Sequence, residues 1–281
     1  MHYPSRPISK WFAALAAIAC VSFGAAAHAA DGALEVNLVY FGNQSDTAFL
    51  GVNQGVGEGN LQGQFLGQKY NLTVVPSDEI APMKAPVPAA IFAAADAESL
   101  RLLAEFNPGV PIFNIIDEYD DLRALCLPNL LHVIPSRKMR EDAAAQWRKK
   151  DPKADVTALA WHGDFDKYAG RQLNERFVKA YRQSMDDYAW AGWAAAKMLT
   201  DSVARTQSPD PETLLRHLRT DLVFDGQKGV TMNFRPNGQL RQVLLLVREG
   251  KIVGEAPVRG VVSGDLDSLG YSNCPAAQAA Q

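Results

Sequence analysis

The sequence lacks the features that mark membrane, metal-binding and nucleic-acid-binding proteins. After residue 30, no apolar run approaches the roughly 18 residues of a membrane-spanning helix. The three histidines beyond that point, His132, His162 and His217, are far apart and have no cysteine partner at zinc spacing. The net charge of −3 gives no sign of the basic face that nucleic-acid binding usually requires. We therefore expect a globular protein without metal or nucleic acid.

Motifs of catalysis and cofactor binding are also missing. The chain contains no G-x-S-x-G nucleophile elbow. It contains neither G-x-G-x-x-G nor a G-x-x-x-x-G-K-[ST] phosphate loop. Serines, histidines and acidic residues are present, but nothing in their spacing assembles them into a triad. We expect no enzymatic activity and no cofactor.

The first 29 residues have the pattern of a secretory signal peptide. Arg6 and Lys10 precede an apolar stretch at residues 11–23, and Ala27 and Ala29 form an A-x-A cleavage signature. Cys20 lies inside the apolar stretch, where a lipoprotein signal would place leucine before the cysteine. The pattern predicts cleavage without lipid attachment, and export to the periplasm.

Export affects the interpretation of the two cysteines that remain, Cys126 and Cys274. An oxidising periplasm favours a disulfide between them. That bond would tie the C-terminal tail to the segment before a short apolar strand at residues 130–134. The alternative is a pair of buried, unbonded thiols.

Strand and helix patterns alternate along the first half of the chain. Residues 34–41, 69–75, 89–93 and 110–116 are strand-like, and residues 97–106 carry an amphipathic helical stripe. The alternation is typical of an α/β fold with a doubly wound, mostly parallel sheet. Pro128 and Pro135 bracket the strand at residues 130–134, and Ser136 is placed to cap the next helix.

The sequence of the second half of the chain predicts mostly helices, followed by a C-terminal end rich in β-strands. Helices are expected at residues 136–150, 165–181, 187–203 and 209–218, with one strand at residues 156–161. Two C-terminal β-hairpins are expected, turning at residues 236–238 and 249–250.

Several local patterns allow more than one interpretation. The glycines between residues 51 and 67 favour a flexible or irregular loop over a long helix. The acidic run at residues 117–121 fits a cation site or a helix N-terminus, and we favour the helix. Trp190 and Trp193 lie one turn apart, which favours core packing over an aromatic ligand platform. Trp161 and His162 either face a ligand or pack at a strand end, with Asp164 capping the following helix.

In their order, these elements resemble the type I periplasmic binding proteins of the leucine/isoleucine/valine-binding kind. The glycine-rich stretch that begins at residue 51, together with residues 65–72 (FLGQKYNL), is similar to the family's first helix, reversing loop and second strand. Residues 187–198 (DYAWAGWAAAKM) resemble its late helix, and residues 224–238 its closing hairpin. Residues 129–136 with 224–242 look more like a subgroup associated with PQQ-dependent alcohol dehydrogenase systems.

The resemblance implies where a ligand would bind. In that family, the loops after strands one, three and four hold the polar group of the ligand, at the carboxyl edge of the sheet. The corresponding side chains here, with a strand-end pair added, are Asn43, Ser45, Asp46, Asp96, Ser99, Asp117, Trp161 and His162. Three aspartates would repel a carboxylate, which argues against transferring the family's amino-acid ligand directly.

The segment between the two halves is short. A single βαβ unit needs about 30 residues, whereas only residues 136–155 separate the strand at 130–134 from the next one. We therefore expect a much reduced second lobe. The predicted division is a signal peptide (1–29), the N-terminal half of lobe 1 (30–135), a remnant of the second lobe (136–155), and helices, hairpins and tail (156–281).

Two functions follow from this resemblance. The first is a non-enzymatic solute-binding protein of an ABC transporter, with an unidentified small-molecule solute and a permease as partners. The quinoprotein subgroup adds a periplasmic dehydrogenase or cytochrome as a further partner. The second is a degenerate receptor that serves as a periplasmic protein-interaction module and captures no solute.

Overall fold

The computed structural model describes residue 2, residues 32–153, residues 155–272 and Cys274. The predicted signal peptide therefore lies outside the described residues, apart from His2. The described residues from Gly32 onward group into one unit. Within the described part of the chain, no helix combines the length and apolar character needed to cross a membrane.

Five parallel strands form the main sheet, in the order β2-β1-β3-β4-β5. They are β1 Leu34–Phe41, β2 Gln68–Val75, β3 Ala90–Ala93, β4 Ile112–Asn114 and β5 Leu130–His132. Both faces of β1 are covered: Leu38 packs into one hydrophobic core and Phe41 into a second. Burial on both faces explains the nearly continuous apolar sequence of this strand. The predicted doubly wound α/β fold is confirmed.

The helix at α2, Ala97–Phe106, has the predicted bounds. Its N-cap is Asp96, whose side chain accepts a hydrogen bond from the backbone N–H of Ser99 at 2.8 Å. The acidic run leads into a short helix, α3, Asp120–Ala124. Within the described residues, no group of acidic, histidine or cysteine side chains is arranged to hold a metal ion.

The interpretation of the glycine stretch as an irregular loop was wrong. It forms α1, a helix of 20 residues from Thr47 to Leu66. Four of its glycines recur every fourth residue, and three of them, Gly51, Gly55 and Gly59, face α6. An added Cβ would come within 1.8 Å of Ala189 O, 2.6 Å of Ala196 Cβ and 2.6 Å of Thr200 Cγ2, respectively. The glycines therefore let two helices pack at close range, which offsets their low helix propensity.

The described residues of the second half form four α-helices, a short 3₁₀ helix at Leu266–Ser268 and a small antiparallel sheet in the order β6-β7-β8. The helices are α4 Arg137–Lys150, α5 Gly170–Tyr181, α6 Asp187–Thr206 and α7 Pro211–Thr220. The strands are β6 Thr157–Leu159, β7 Leu244–Arg248 and β8 Lys251–Ala256. The hairpin that turns at Glu249 and Gly250 is confirmed. The other is reduced to isolated bridges, such as Phe234 with Leu240.

One helix starts later than its sequence pattern indicates. Residues 165–169 precede α5 instead of joining it, because Tyr168 has a φ of +53°, which a right-handed helix does not allow. Phe165 packs edge-on against Trp161, with the ring centroids 5.1 Å apart. Asp164 consequently lies well before the helix and does not cap it, so that part of the packing interpretation was wrong.

The short strand β5 and the segment around it are held from several sides. The side chain of Ser136 accepts a hydrogen bond from Met139 N at 3.2 Å, as the capping prediction requires. Gln239 donates to the backbone oxygens of His132 and Ile134 at 3.1 and 3.2 Å. Cys126 and Cys274 form the predicted disulfide, with their Cα atoms 6.0 Å apart.

Candidate functional site

A cavity of about 590 Å³, called the main cleft below, lies near the carboxyl edge of the main sheet. Its lining includes Glu118, which follows β4, and Tyr188 at the start of α6. Thr157 and Leu159 of β6 line it too, and the loop after β6 supplies His162. Its volume falls within the range of small-molecule sites.

Arg140 joins the elements that surround the main cleft. From α4, its guanidinium reaches Glu118 at 2.8 Å and Asp187 at 2.7 Å. It also donates to the backbone oxygen of Ala158 at 2.6 Å. Burial opposes its charge, but the carboxylates of Asp187 and Glu118 outweigh that effect and raise the pKa of Arg140. The cleft is thus built around a fixed cation whose two charged contacts are already satisfied.

Trp161 lines the cleft, although it is only 1% exposed. Its backbone N–H donates to Asp187 at 2.8 Å, and its indole N–H donates to Asn174 at 2.8 Å. The ring stacks on Trp190, with the centroids 6.0 Å apart. These contacts support the packing interpretation of Trp161. Trp190 is fully buried as well, which confirms its predicted place in the core.

Two polar side chains of the main cleft, those of His162 and Tyr188, are exposed enough to contact a ligand. His162 is about one-fifth exposed, and its Nδ1 accepts a hydrogen bond from Asp164 N at 3.2 Å. Tyr188 is 39% exposed. Burial, followed by the nearby charge of Glu118, raises the pKa of the Tyr188 hydroxyl, so it stays a hydrogen-bond donor at neutral pH.

The other predicted ligand residues do not line the main cleft. Asn43 lines a separate cavity of about 480 Å³ beside the end of β2, and its Oδ1 accepts from Ser45 N at 3.0 Å. Asp46 is the N-cap residue of α1, without a capping hydrogen bond from its side chain. Asp96 and Ser99 bond each other at the start of α2, and that backbone hydrogen bond lowers the pKa of Asp96.

Asp117 is buried beside Arg123. Its Oδ1 lies 3.9 Å from Arg123 Nη1 and accepts from Tyr119 N at 3.0 Å. Burial raises the pKa of Asp117, although Tyr119 and Arg123 oppose the shift. Arg123, buried too, has its pKa lowered to about 10 by desolvation. Arg123 also donates a hydrogen bond to Gln239 Oε1 at 2.6 Å. Gln239 in turn donates to His132 O, so Arg123 and Gln239 stabilise the region around β5.

Sequence reasoning therefore placed only Trp161 and His162 in the main cleft. It missed Arg140 and the two carboxylates that pair with it, Glu118 and Asp187, which are distant in sequence. The available signals were indirect. Glu118 follows a strand of a parallel sheet, where ligand loops are expected, and Arg140 lies one residue after Met139 on the buried side of α4.

The folded chain is similar to solved structures of periplasmic binding proteins. An ABC transporter substrate-binding protein from Sphaerobacter thermophilus has a TM-score of 0.65 and 10% identity, covering 79% of this chain and 97% of that one. A substrate-binding protein from Desulfitobacterium hafniense in complex with Leu gives 0.62 and 14%, covering 78% and 99%. A solute-binding protein from R. palustris in complex with benzoate gives 0.60 and 14%, covering 79% and 95%.

The fold is that of a periplasmic binding protein. At these identities the similarity shows the fold alone. No protein-family model matches the sequence. The comparison with curated proteins gave no match either.

Proposed function

We propose that this protein is an exported, non-enzymatic solute-binding protein of the ABC-transporter type, and that its solute binds in the main cleft. One observation carries the proposal: a cavity of about 590 Å³ near the carboxyl edge of the sheet, in a fold shared with proteins solved with Leu and benzoate. The export pattern of the N-terminus and the disulfide are consistent with the periplasm.

The charges of the main cleft indicate the kind of solute. Glu118, Asp164, Asp186 and Asp187 contribute carboxylates, whereas Arg140 is the one arginine or lysine among the described residues that line it. Because Arg140 is already paired, a solute carboxylate would meet uncompensated negative charge. A neutral or cationic solute fits better, with hydrogen bonds to Tyr188 and His162.

We also propose that this protein does not bind its solute by closing two lobes around it. Most of residues 136–153 form one helix, α4, and its Arg140 is bonded to Glu118 after β4, to Asp187 of α6 and to the backbone oxygen of Ala158 in the second sheet. We propose that solute enters a largely preformed cleft, with little movement between its walls.

A narrower form of the proposal concerns quinoprotein alcohol oxidation. It rests on the sequence resemblance of residues 129–136 and 224–242. These two segments pack on one another: Gln242 donates to Val133 O at 2.7 Å, and Gly238 O accepts from His132 N at 2.8 Å. In this form, the partner is a periplasmic dehydrogenase or cytochrome.

A second candidate function is a protein-interaction module. The observation in its favour is an exposed apolar group at the C-terminal end of α1: Leu61 is 64% exposed and Phe65 is 89% exposed. They lie on the helix that leads into β2, which pairs with β1 on one side only within the described residues. Exposed apolar groups beside an open sheet edge are typical of partner sites.

Isothermal titration calorimetry separates the two functions. The panel comprises leucine, its amine analogue isoamylamine, benzoate, short alcohols and pyrroloquinoline quinone. Solute capture predicts binding of at least one neutral or cationic member, weakened in Tyr188→Phe and His162→Ala. A ligand at 100 times its dissociation constant should also stabilise the fold by about 2.7 kcal/mol.

Absence of binding across the panel would count against solute capture. In that case, a periplasmic pull-down that recovers a stoichiometric partner with the wild type, but not with Phe65→Ser, supports the interaction module. Loss of the partner in Tyr188→Phe as well would point away from the α1 surface.

A further inference from the structure

A second cavity adjoins the main cleft and differs from it in charge. This cavity, called the α5 cavity below, has a volume of about 480 Å³ and lies beside α5. Gly163 and Asp164 line both cavities. The α5 cavity offers a ligand cations that no carboxylate has already paired, and the main cleft does not.

Two segments of the chain pass from one cavity into the other. The first is residues 162–166, which supply His162 to the main cleft and Phe165 to the α5 cavity. In the second, Arg182 lines the α5 cavity and Ser184 lines the main cleft. Since two residues separate them by at most about 7 Å between Cα atoms, one small ligand can contact both cavities.

The first of these segments is held by a buried polar side chain of α5. Asn174 Oδ1 accepts a hydrogen bond from Trp161 Nε1 at 2.8 Å, and Asn174 Nδ2 donates to Phe165 O at 3.0 Å. Asn174 also lines the α5 cavity. Because one side chain anchors both ends of residues 161–165, the wall shared by the two cavities has a defined position relative to α5.

The charged side chains that α5 presents to its cavity lie on one face of the helix. They are Arg171, Glu175, Lys179 and the C-cap residue Arg182, at intervals of four, four and three residues. All four are exposed. Among the residues that the structure describes, no carboxylate lies within 4.0 Å of the three cations. The face ends in Lys179 and Arg182, next to the segment that continues into the main cleft.

The charges of the two cavities are complementary. Asp164, Asp166 and Glu175 line the α5 cavity, so its described carboxylates equal its cations in number. In the main cleft, four described carboxylates, including the shared Asp164, accompany one arginine, and that arginine is already paired. A ligand that extends through both cavities therefore meets an excess of negative charge at one end and available cations at the other.

We propose that the main cleft and the α5 cavity together bind a solute with an ammonium group and a carboxylate at opposite ends of a short carbon chain. This inference rests on the proposed function, since the ammonium end lies in the main cleft, near Glu118 and Tyr188. The carboxylate end lies at Lys179 and Arg182. In leucine, both charged groups belong to one carbon atom, so its carboxylate would remain in the acidic main cleft.

The test compares three probes of similar length by calorimetry: 6-aminohexanoate, the cation 6-aminohexanamide and the anion hexanoate. The amide replaces the carboxylate by a neutral group of nearly the same shape. 6-Aminohexanoate should bind about fivefold more tightly than the amide, as expected of two exposed ion pairs, and hexanoate should bind most weakly. The advantage of 6-aminohexanoate should shrink as salt is added. Leucine should bind no more tightly than isoamylamine.

Variants assign the carboxylate to its cations. The double variant Lys179→Gln, Arg182→Gln should lose the preference for 6-aminohexanoate without weakening the binding of the amide. Arg205→Gln is the matched control: it removes an exposed cation about 27 Å from Asp187 along α6, and it should retain the preference. Tyr188→Phe, in the main cleft, should weaken both amines by the same factor.

The outcomes separate this inference from the proposed function. Equal affinity for 6-aminohexanoate and its amide would overturn the inference and leave solute capture in the main cleft standing. A preference for 6-aminohexanoate that persists in the double variant would overturn the assignment of the carboxylate to α5. Binding of neither amine at millimolar concentration would overturn the inference, whichever members of the first panel bind.

Discussion

Gly51 of α1 lies directly against the backbone carbonyl of Ala189 in α6, at a distance that leaves no room for a side chain. A Cβ on Gly51 would lie 1.8 Å from the carbonyl oxygen. Gly192 of α6 makes the reciprocal approach, since its Cβ would lie 2.3 Å from Ala48 O. Each helix thus presents a glycine to the backbone of the other.

Gly51→Ala should destabilise the protein by about 1–3 kcal/mol or more, because the helices must separate to admit the methyl group. Gly57 is the matched control: it lies on the same helix, is exposed, and a Cβ there would meet nothing within 4 Å. Gly57→Ala should stabilise by up to about 1 kcal/mol through helix propensity. Chemical denaturation measures both, and equal effects of the two substitutions would contradict the packing argument.

Replacing both disulfide cysteines by serine should lower the free energy of unfolding. The bond spans a sequence separation of 148. For so long a loop, the chain-entropy account gives about 5 kcal/mol as an upper value. Denaturation of the wild type with and without reductant provides the comparison, and the Cys126→Ser, Cys274→Ser protein should not respond to reductant. A wild type equally stable in both conditions would show that the bond does not restrict the unfolded chain.

Arg140→Met should destabilise the protein by about 3–5 kcal/mol, because it leaves two partly buried carboxylates without their counter-charge. The penalty arises from Glu118 and Asp187. The triple variant Arg140→Met, Glu118→Gln, Asp187→Asn should therefore be more stable than Arg140→Met alone. Asn at 187 keeps an acceptor for Trp161 N. A triple variant less stable than the single one would mean that the carboxylates stabilise the fold in another way.

Asp96 should make stability depend on pH in the acid range. The hydrogen bond from Ser99 N lowers its pKa below the ordinary 3.8 in the folded protein, so the unfolded chain binds the proton more tightly. Its contribution is therefore complete above the ordinary pKa and is lost as pH falls through the folded value.

The control for this prediction is Asp96→Asn, which keeps a capping oxygen and does not titrate. The stability difference between the wild type and Asp96→Asn should shrink between about pH 5 and pH 2. A difference that stays constant over this range would rule out the linkage.

Local signals in the sequence predicted much of the fold. The apolar stripe at residues 97–106 located α2, and Ser136 located the start of α4. Glycine was misleading because its low helix propensity is a local property. The compensating contact with Ala189 belongs to a helix far along the chain. Gly51, Gly55, Gly59 and Gly63 recur every four residues, and this spacing was the sequence signal for a helix that packs closely against another helix.

The main cleft was harder to predict than the fold. Trp161 and His162 stand next to one another after a strand, so they could be found by position. The ion pairs of Arg140 with Glu118 and Asp187 join three separate segments, and no short motif encodes them.

The bond between Cys126 and Cys274 also makes the polypeptide between them a covalent ring. A protease that cuts once inside this ring, for instance in the turn at Glu249 and Gly250, leaves both fragments linked. On a gel, such a nicked protein keeps its full mass until reductant is added. A cut before Cys126, for example beside the cis Ala85–Pro86 bond, releases a separate fragment at once. Comparing gels run with and without reductant therefore shows whether a given cut lies inside or outside the ring.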